Sequence, residues 1–413
     1  MVKKHESKIT LRILALLLAL LTLLPLAACG PKPEPAPETS IVTTAPQTTE
    51  ATTEAQPKYE IRLNAPASTE IHTKLQKTYL AQADPHKILE YADNGGTIEL
   101  GRPNPITLTW TVSDTAAGHI SAITLRIGTK ADGSDAKEIA IGADQTEYAF
   151  YNAFIGQKYY WSVTMLDDEG NTTDSSVASF QTAAQAPRNL YVDGITNVRD
   201  LGGWFTLDGG KVRQGLLYRG ARLNDNDSTD ILITEEGART LRDEIGIKTE
   251  IDLRQTKAVN GRDESGGITV SPLGESVTYL ACPMYYGDKL ISDTKNKQRV
   301  KEIFAILADE SNYPIYIHCS IGTDRTGLIV WLVNGLCGVV EKNLWRDYLF
   351  SNFGTIGGTR TREKNEGVYV NKIKAKSGVN LAEQTYNFLK DYFEIPESDL
   401  QAVIRIMKEA PAN

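Results

Sequence analysis

The sequence predicts a multidomain chain in which a β-sandwich precedes an α/β domain whose central sheet is flanked by helices. The chain has 413 residues, which is too many for one ordinary domain. Residues 96–185 contain short alternating apolar runs broken by turn residues, whereas residues 188–413 alternate strand-like and helix-like segments. We therefore expect a domain boundary at Ala184–Pro187.

Residues 1–28 have the composition of a lipoprotein signal peptide. Basic residues precede an apolar run, Ile13–Leu26, that is shorter than a membrane span and ends in small residues. The string L-A-A-C ending at Cys29 resembles the lipobox of bacterial lipoproteins. The resemblance implies that Cys29 is lipidated and anchors the protein at the extracytoplasmic face of the cell membrane. An uncleaved membrane anchor is the alternative interpretation.

Residues 29–58 predict a disordered linker. They are almost entirely Pro, Thr, Glu, Ala, Gln and Lys, a composition that cannot form an apolar core. The next segment, residues 59–95, has apolar side chains at roughly helical spacing. We predict that it is partly helical and assign it to no domain.

Residues 96–185 predict an antiparallel sandwich. The alternating runs are Ile106–Val112, Ala122–Ile127 and Tyr159–Met165. Their β-branched and aromatic content is typical of half-buried strands, and Trp110 and Trp161 are expected in the core. This region resembles a fibronectin type III-like module, and we expect that it could bind a cell-surface partner.

Charge and cysteine count exclude two kinds of protein. The formal net charge of -8 leaves no excess of basic residues for a nucleic-acid footprint. Beyond Cys29 the chain has three cysteines, an odd number that argues against a disulfide framework. Cys282 and Cys337 are expected as core thiols, and Cys282 could also shield Cys319 as a reversible disulfide.

Residues 188–413 predict an α/β domain. Strand-like segments are Lys248–Leu253 and Tyr313–Ile317, and helix-like segments are Val300–Leu307, Thr326–Leu336 and Ala382–Phe393. The second strand leads directly into the stretch H-C-S-I-G-T-D-R-T-G, residues 318–327, which an apolar helix follows.

The stretch 318–327 has the residue types of an anion site beside a nucleophile. A turn between a buried strand and a helix directs backbone amides into one concavity, where they and the helix dipole favour negative charge. Arg325 can hold a phosphate bidentately. The same field lowers the pKa of a thiol, so Cys319 is suited to in-line attack on phosphorus.

The remaining side chains of the stretch have candidate supporting roles. Asp324 could protonate the leaving oxygen, although a helix N-cap is the alternative interpretation. Thr326 could place a hydroxyl near the sulfur and ease its departure. His318, next to the cysteine at a strand end, is expected to brace the loop.

The chain resembles the protein tyrosine phosphatases in these residues. Their H-C-x-x-G-x-x-R-[ST]-G signature is matched by His318, Cys319, Gly322, Arg325, Thr326 and Gly327. Three upstream segments resemble the bacterial branch that has an aspartate in the loop: Asn197–Gly203, Leu217–Gly220 and Ile251–Arg254. The resemblance covers about residues 188–410.

The resemblance implies a mechanism without metal or cofactor. Cys319 is the nucleophile, Arg325 binds phosphate and stabilises the transition state, and Asp324 is the general acid. Phosphate binding falls to the loop residues Ser320, Ile321, Gly322 and Thr323. Scaffold roles beneath the loop fall to Arg199, Asp200, Arg219 and Arg254. Asp288 is the alternative acid, because other phosphatases of the superfamily take theirs from a separate upstream loop.

The expected substrate is protein phosphotyrosine, with phosphoinositides or inositol phosphates as the alternative. Several members of the branch have lysine where Thr323 stands, and its absence weakens the case for highly charged headgroups. A non-catalytic surface lipoprotein that binds phosphorylated ligands is the alternative of another class. Pure binding needs neither the nucleophile Cys319 nor the acid Asp324, which argues against it.

Overall fold

The computed structural model describes residues 59–92, 101–116, 118–224, 231–257 and 263–411. The predicted signal peptide, the lipidation site Cys29 and the linker up to residue 58 lie outside the described residues and stay predictions. Within the described ranges, no helix is both long and apolar enough to cross a lipid bilayer.

The N-terminal region contains two antiparallel sheets. Their strands are β1 (Ile61–Asn64), β2 (Ile106–Val112), β3 (Ile120–Gly128), β4 (Lys137–Ile141), β5 (Glu147–Phe150), β6 (Lys158–Asp167), β7 (Thr172–Asp174) and β8 (Ala178–Gln181). One sheet has the order β1-β2-β5, and the other has the order β4-β3-β6-β7 with β8 also paired to β6. Buried and more exposed side chains alternate along β6. Trp110 and Trp161 are each 1% exposed, as expected for core aromatics.

The segment before residue 96 is only partly helical. Helix α1 (Lys74–Leu80) begins with a capping box, in which the Thr73 hydroxyl accepts from the Gln76 amide and the Gln76 side chain accepts from the Thr73 amide. A 3₁₀ turn follows at Pro85–Glu90. The same segment also supplies strand β1, so it contributes to the first antiparallel sheet as well as a helix.

Hydrogen bonds join the N-terminal region to the α/β region across the predicted boundary. The guanidinium of Arg188 donates to the carbonyls of Ala153 (3.1 Å) and Asn152 (2.6 Å). His72, which is 2% exposed, contacts the Pro187 carbonyl through Nε2 at 2.9 Å. These buried polar contacts fix the path of the chain as it enters the second region.

The α/β region is built on a six-stranded sheet. Its strands are β9 (Arg188–Asn189), β10 (Arg199–Asp200), β12 (Leu217–Gly220), β13 (Thr249–Asp252), β14 (Thr278–Ala281) and β15 (Ile315–His318), and a separate pair is β11 (Lys211–Val212) with β16 (Lys408–Glu409). The order is β14-β13-β15-β12-β10-β9. Strands β14, β13, β15 and β12 are parallel to one another. Their carboxyl ends therefore meet at one edge of the sheet, which is the usual place for a ligand site.

Helices surround this sheet, as the sequence predicts. They are α2 (Glu235–Arg239), α3 (Lys289–Ser292), α4 (Thr294–Leu307), α5 (Asp324–Leu336), α6 (Glu341–Phe350), α7 (Glu363–Asn365), α8 (Asn371–Lys374), α9 (Leu381–Tyr392) and α10 (Glu397–Met407). Helix α2 continues as a π-helical turn at Thr240–Ile245, and another lies at Glu366–Val370. The remaining short 3₁₀ turns are Asp114–Ala116, Glu310–Asn312 and Ser351–Phe353. Every residue of α5 after Asp324 is buried, which makes it the central helix.

Candidate active site

The loop of residues 319–325 connects β15 to α5, and its shape depends on glycine. Gly322 has φ +70°, a conformation that side chains rarely adopt. A Cβ atom there would lie 2.2 Å from the carbonyl oxygen of Gly220, at the end of the neighbouring strand β12. The loop therefore packs directly on the sheet edge, and no other residue fits at this position.

The carbonyl groups of the loop are turned outward by partners in the surrounding scaffold. Ser320 O accepts from Arg222 N (3.2 Å), Ile321 O from Asn197 Nδ2 (2.9 Å), and Gly322 O from Arg219 Nη2. A carbonyl and the following amide point to opposite sides of a trans peptide, so the amides of Ile321, Gly322 and Thr323 face the loop centre. None of these three amides donates to any residue that the structure describes. Together with the start of α5 they form a ring of free donors suited to an anion.

Two arginines and one aspartate support the loop from below. Asp347, on α6, accepts from Arg219 Nη1 at 2.6 Å and from Arg199 Nε at 2.8 Å. All three side chains are buried. Burial alone would raise the pKa of Asp347, but the two guanidinium groups lower it, so the carboxylate stays charged between them. Arg219 thus connects Asp347 to the loop carbonyl of Gly322, and Arg199 pairs with the same carboxylate.

Cys319 is a buried thiol in an electropositive setting. It is 3% exposed, and burial alone would raise its pKa. The charge of Arg325, together with the polar groups of Thr326, nevertheless lowers the pKa of Cys319 below its ordinary value. The structure therefore places Arg325 and Thr326 where they stabilise the thiolate.

Arg325 is held mainly through Nη1, which makes three of its four hydrogen bonds to described residues. Its Nη1 donates to Glu264 Oε2 at 2.6 Å and to the carbonyls of Leu253 (3.2 Å) and Met284 (3.3 Å). Its Nη2 donates to Ser320 Oγ at 3.2 Å. Within the described ranges Nε has no hydrogen-bond partner, so the Nε–Nη2 edge can hold two oxygens of a phosphate. Glu264 was not predicted from the sequence.

His318 lies in a buried charge network under the loop. Its Nε2 is 2.8 Å from Glu250 Oε1, its Nδ1 is 3.1 Å from the carbonyl oxygen of Cys319, and Asp252 Oδ1 lies 3.9 Å from Nδ1. Burial opposes the imidazolium, but the two carboxylates raise the pKa of His318. His318 thus braces the backbone at Cys319. One ligand atom from each of Glu250, Asp252 and His318 lies within 4.8 Å of the other two, close enough to hold a metal ion, and Glu250 Oε2 has no hydrogen-bond partner among the described residues.

Arg254 and Asp200, two predicted scaffold residues, lie farther from the loop. Arg254 forms an ion pair with Asp252 at 2.7 Å, and the Asp252 carboxylate in turn lies 3.9 Å from His318 Nδ1. Asp200 pairs instead with Arg188 at 2.9 Å and accepts from the amides of Gly202 and Gly215. Asp200 therefore orders the turns beside β10, and no hydrogen bond or ion pair joins it to the loop within the described chain.

Asp324 is the first residue of α5, and it is not the N-cap. The N-cap is Thr323, whose side chain makes no capping bond. The Asp324 carboxylate instead accepts from Nε and Nη2 of Arg360, each at 3.1 Å, and lies 3.4 Å from the Tyr348 hydroxyl. This two-point contact fixes the orientation of the carboxylate at the loop.

Asp324 and the alternative acid Asp288 line the same cleft of about 800 Å³. Asp288 is exposed and stands directly before α3. Asp324, which belongs to the loop itself, is the candidate held in place by an ion pair. Thr323 is fully buried and is not part of the cleft lining.

Cys282 is poorly placed to protect Cys319 as a disulfide. The two cysteines directly follow β14 and β15, which flank β13 on opposite sides with Ala281 and His318 level with Asp252. Two strand spacings of about 4.8 Å put them about 10 Å apart. A disulfide requires Cα atoms within about 7 Å. The predicted reversible disulfide would need the sheet to rearrange.

The loop thus brings together a buried thiol with a lowered pKa, an arginine held by Glu264 and three backbone amides that are unpaired among the described residues, which together form a candidate anion site. The model of the tyrosine phosphatase family matches residues 190–411. The match covers more than half of the chain, and the chain belongs to this family.

Individual relatives are more distant. A Cupriavidus necator protein with the provisional name tyrosine-protein phosphatase is 25% identical over 193 residues, spanning 41% of this chain and 65% of that protein. The core catalytic domain of the S. cerevisiae PP-IP phosphatase is 14% identical, covering 38% of this chain and 84% of that one, with a TM-score of 0.26. A Streptomyces avermitilis α-L-rhamnosidase is 19% identical, covering 30% of this chain and 11% of its own, with a TM-score of 0.19.

Four residues of the site lack a local sequence signal. They are Glu264, Glu250, Asp347 and Arg360, which contact Arg325, His318, the arginine pair and Asp324 respectively. Each comes from a segment distant in sequence from the loop. Asn197 is different, because it opens the N-x-R-D-x-G-G segment that the sequence already marks.

Proposed function

We propose that the protein is a cysteine-dependent phosphatase that hydrolyses phosphomonoesters through a phosphocysteine intermediate. The observation that carries this proposal is a buried thiol, Cys319, at the start of a loop whose amides, unpaired among the described residues, form an anion site with Arg325, a setting that lowers the pKa of the thiol. A structural cysteine in the same degree of burial would have a raised pKa. The field that favours the thiolate also favours a phosphate dianion.

In the first step Cys319 attacks phosphorus as the thiolate. The substrate's phosphate oxygens accept from the inward amides of residues 321–323 and from the Nε–Nη2 edge of Arg325. Negative charge that develops on these oxygens in the transition state meets donors already in position, so no reorganisation is required. Asp324 gives a proton to the departing ester oxygen, and the P–O bond breaks as the P–S bond forms.

In the second step water attacks the phosphocysteine. Asp324, now the carboxylate, accepts a proton from the water, and the P–S bond breaks to release inorganic phosphate. The polar groups of Thr326, which favour the ionised form of Cys319, stabilise the leaving thiolate. Arg360 keeps the Asp324 carboxylate oriented in both steps. No step calls on a metal ion.

The proposed substrate is phosphotyrosine in a protein. Thr323 supports this choice over phosphoinositides, because its short side chain is buried and adds no positive charge at the loop. The experiment is turnover of a phosphotyrosine peptide, an inositol phosphate and a phosphoinositide by the purified protein in EDTA. Faster turnover of the peptide supports the proposal. Faster turnover of the inositol phosphate or of the phosphoinositide would assign the protein to that substrate class instead. Binding without turnover would favour a non-catalytic role.

We further propose that the chain is an exported lipoprotein anchored through Cys29, with a fibronectin type III-like module before the catalytic domain. The strand orders β1-β2-β5 and β4-β3-β6-β7 support such a module. Metabolic labelling of a bacterial host with a tritiated fatty acid should label the wild-type chain and not Cys29→Ser. Label on both chains, or on neither, would contradict the anchor.

A further inference from the structure

Helix α6 contacts both the support beneath the loop and the N-terminal region. Its Asp347 binds Arg199 and Arg219, and Arg219 in turn donates to a carbonyl of the loop. The preceding residue, Arg346, donates instead through Nη2 to the carbonyl oxygen of Gln82 at 2.7 Å. Two neighbouring residues of one helix therefore connect the loop to a segment that lies far away in sequence.

Aromatic packing strengthens the contact of the N-terminal region with α6 and the turn that follows it. Three ring pairs cross this contact with an edge-on geometry and centroids 5.3, 5.9 and 6.2 Å apart: His86 with Trp345, Tyr79 with Phe353, and His72 with Phe350, respectively. Except for His86, these side chains are at most 3% exposed. Because such interiors are close-packed, a shift of the N-terminal region would displace α6 rather than be absorbed between them.

A second connection to the N-terminal region starts from β10. Arg199, the first residue of this strand, is followed by Asp200, which pairs with Arg188 at 2.9 Å. The other nitrogens of Arg188 donate to the carbonyls of Asn152 and Ala153. Removing one partner of a buried ion pair leaves an uncompensated charge, so this connection is costly to break. The strand that carries Arg199 is therefore anchored to the N-terminal region.

The orientation of the loop depends on where Asp347 lies. Arg219 Nη1 donates to Asp347 and its Nη2 to the Gly322 carbonyl, whereas its Nε has no partner among the described residues. A displacement of Asp347 would therefore move the Gly322 carbonyl and the Thr323 amide that follows it. A misplacement of about 1 Å, caused far from the chemistry, can lower turnover about 10²-fold.

We propose that the N-terminal region is a positioning element of the active site, in which Arg346 and Arg188 hold α6 and β10 and thereby set the orientation of the loop. The inference rests on the proposed phosphatase function. It gives the region before the boundary at Ala184–Pro187 a role in turnover. Arg346 is the contact best suited to a test, because its acceptor is a main-chain carbonyl remote from the loop.

The test replaces Arg346 in the full chain and measures the geometry of the loop. Arg346→Met removes the donor to the Gln82 carbonyl and keeps much of the side-chain volume. We expect the inhibition constant of inorganic phosphate to rise about tenfold, and kcat for para-nitrophenyl phosphate to fall by a similar factor. Arg346→Lys keeps a donor for the same carbonyl and should restore most of both losses.

Two further variants separate a positioning role from a loss of stability. Arg126→Met is the matched control, because Arg126 lies on β3 and pairs with the exposed Glu138 at 3.5 Å, and it should leave both constants unchanged. His86→Ala removes one ring pair at a half-buried position and should raise the phosphate inhibition constant about threefold. Unfolded protein lowers the apparent kcat but does not alter the phosphate inhibition constant of the molecules that remain folded.

Other results overturn the inference. An unaltered phosphate inhibition constant in both Arg346→Met and His86→Ala would leave the N-terminal region with a stabilising role only. An equal rise in Arg126→Met would show that the loop responds to any change in that region rather than to these contacts. If wild type hydrolyses no substrate in EDTA, the proposed function fails, but the inference is still decided by how strongly phosphate slows alkylation of Cys319. Weaker protection in Arg346→Met than in wild type then supports it, and equal protection rejects it.

Discussion

Cys282 and Cys319 each directly follow a strand of the same parallel sheet, and they are 4% and 3% exposed, yet their thiols have opposite properties. Burial raises the pKa of Cys282 to about 12. The same burial acts on Cys319, but Arg325 and Thr326 outweigh it and lower its pKa. Burial therefore does not decide which cysteine is reactive. The decisive difference is the loop and helix that follow the second strand.

The largest expected effect on activity comes from replacing each of the two cysteines, Cys319 and Cys282, by serine. Cys319→Ser should lower phosphatase activity at least about 10⁴-fold, because a hydroxyl is not ionised by the field that ionises a thiol. Cys282→Ser should keep activity close to wild type. The measurement is hydrolysis of para-nitrophenyl phosphate in EDTA. Retained activity in Cys319→Ser, or a comparable loss of activity in Cys282→Ser, would show that the two cysteines do not differ in reactivity as proposed.

Replacing the arginine should make Cys319 more like Cys282. Arg325→Met keeps much of the side-chain volume but removes the charge, so burial then dominates and the pKa of Cys319 should rise. We expect kcat to fall about 10³-fold, since both phosphate binding and thiolate formation depend on this group. Arg325→Lys restores the charge without the planar fork. A thiol pKa that recovers in Arg325→Lys while kcat stays low would separate the two contributions.

The acid should matter less than the nucleophile or the arginine. Asp324→Asn should slow the hydrolysis of phenyl phosphate about 10²-fold, and of para-nitrophenyl phosphate much less, because a good leaving group needs little protonation. Asp288→Asn, in the same cleft, should cause a smaller loss with both substrates. If Asp288→Asn shows the stronger dependence on the leaving group, the acid role belongs to Asp288.

The sequence shows the candidate residues around Cys319 as one motif, because the loop and its helix are contiguous. Residues 319–326 include the candidate nucleophile Cys319, the candidate phosphate binder Arg325, the candidate acid Asp324 and Thr326. The α/β arrangement also follows from strand and helix periodicity, and it is confirmed for the family domain.

What the sequence does not predict is the support that comes from distant segments. Asp347 lies on α6, and it reaches Arg199 and Arg219 only because α6 packs beside the loop. Glu264 and Arg360 likewise contact the loop arginine and aspartate from separate connections. A single charged residue in a helix or connection has no local pattern that distinguishes a buried partner from a solvated one, so only tertiary contacts identify it.

The smallest effect, and the most direct test of the contrast, is the pH dependence of thiol alkylation. A lowered pKa means that the Cys319 thiolate is present above the folded-state value and is lost as pH falls through it. At pH 7 iodoacetamide should therefore modify Cys319 about tenfold faster than the same cysteine in urea. Cys282 and Cys337, whose pKa values burial raises to about 12, should react only after unfolding.

Mass spectrometry of tryptic peptides would identify each site, and inorganic phosphate should slow modification of Cys319 alone. Equal labelling of all three thiols in the folded protein would mean that the loop does not activate Cys319.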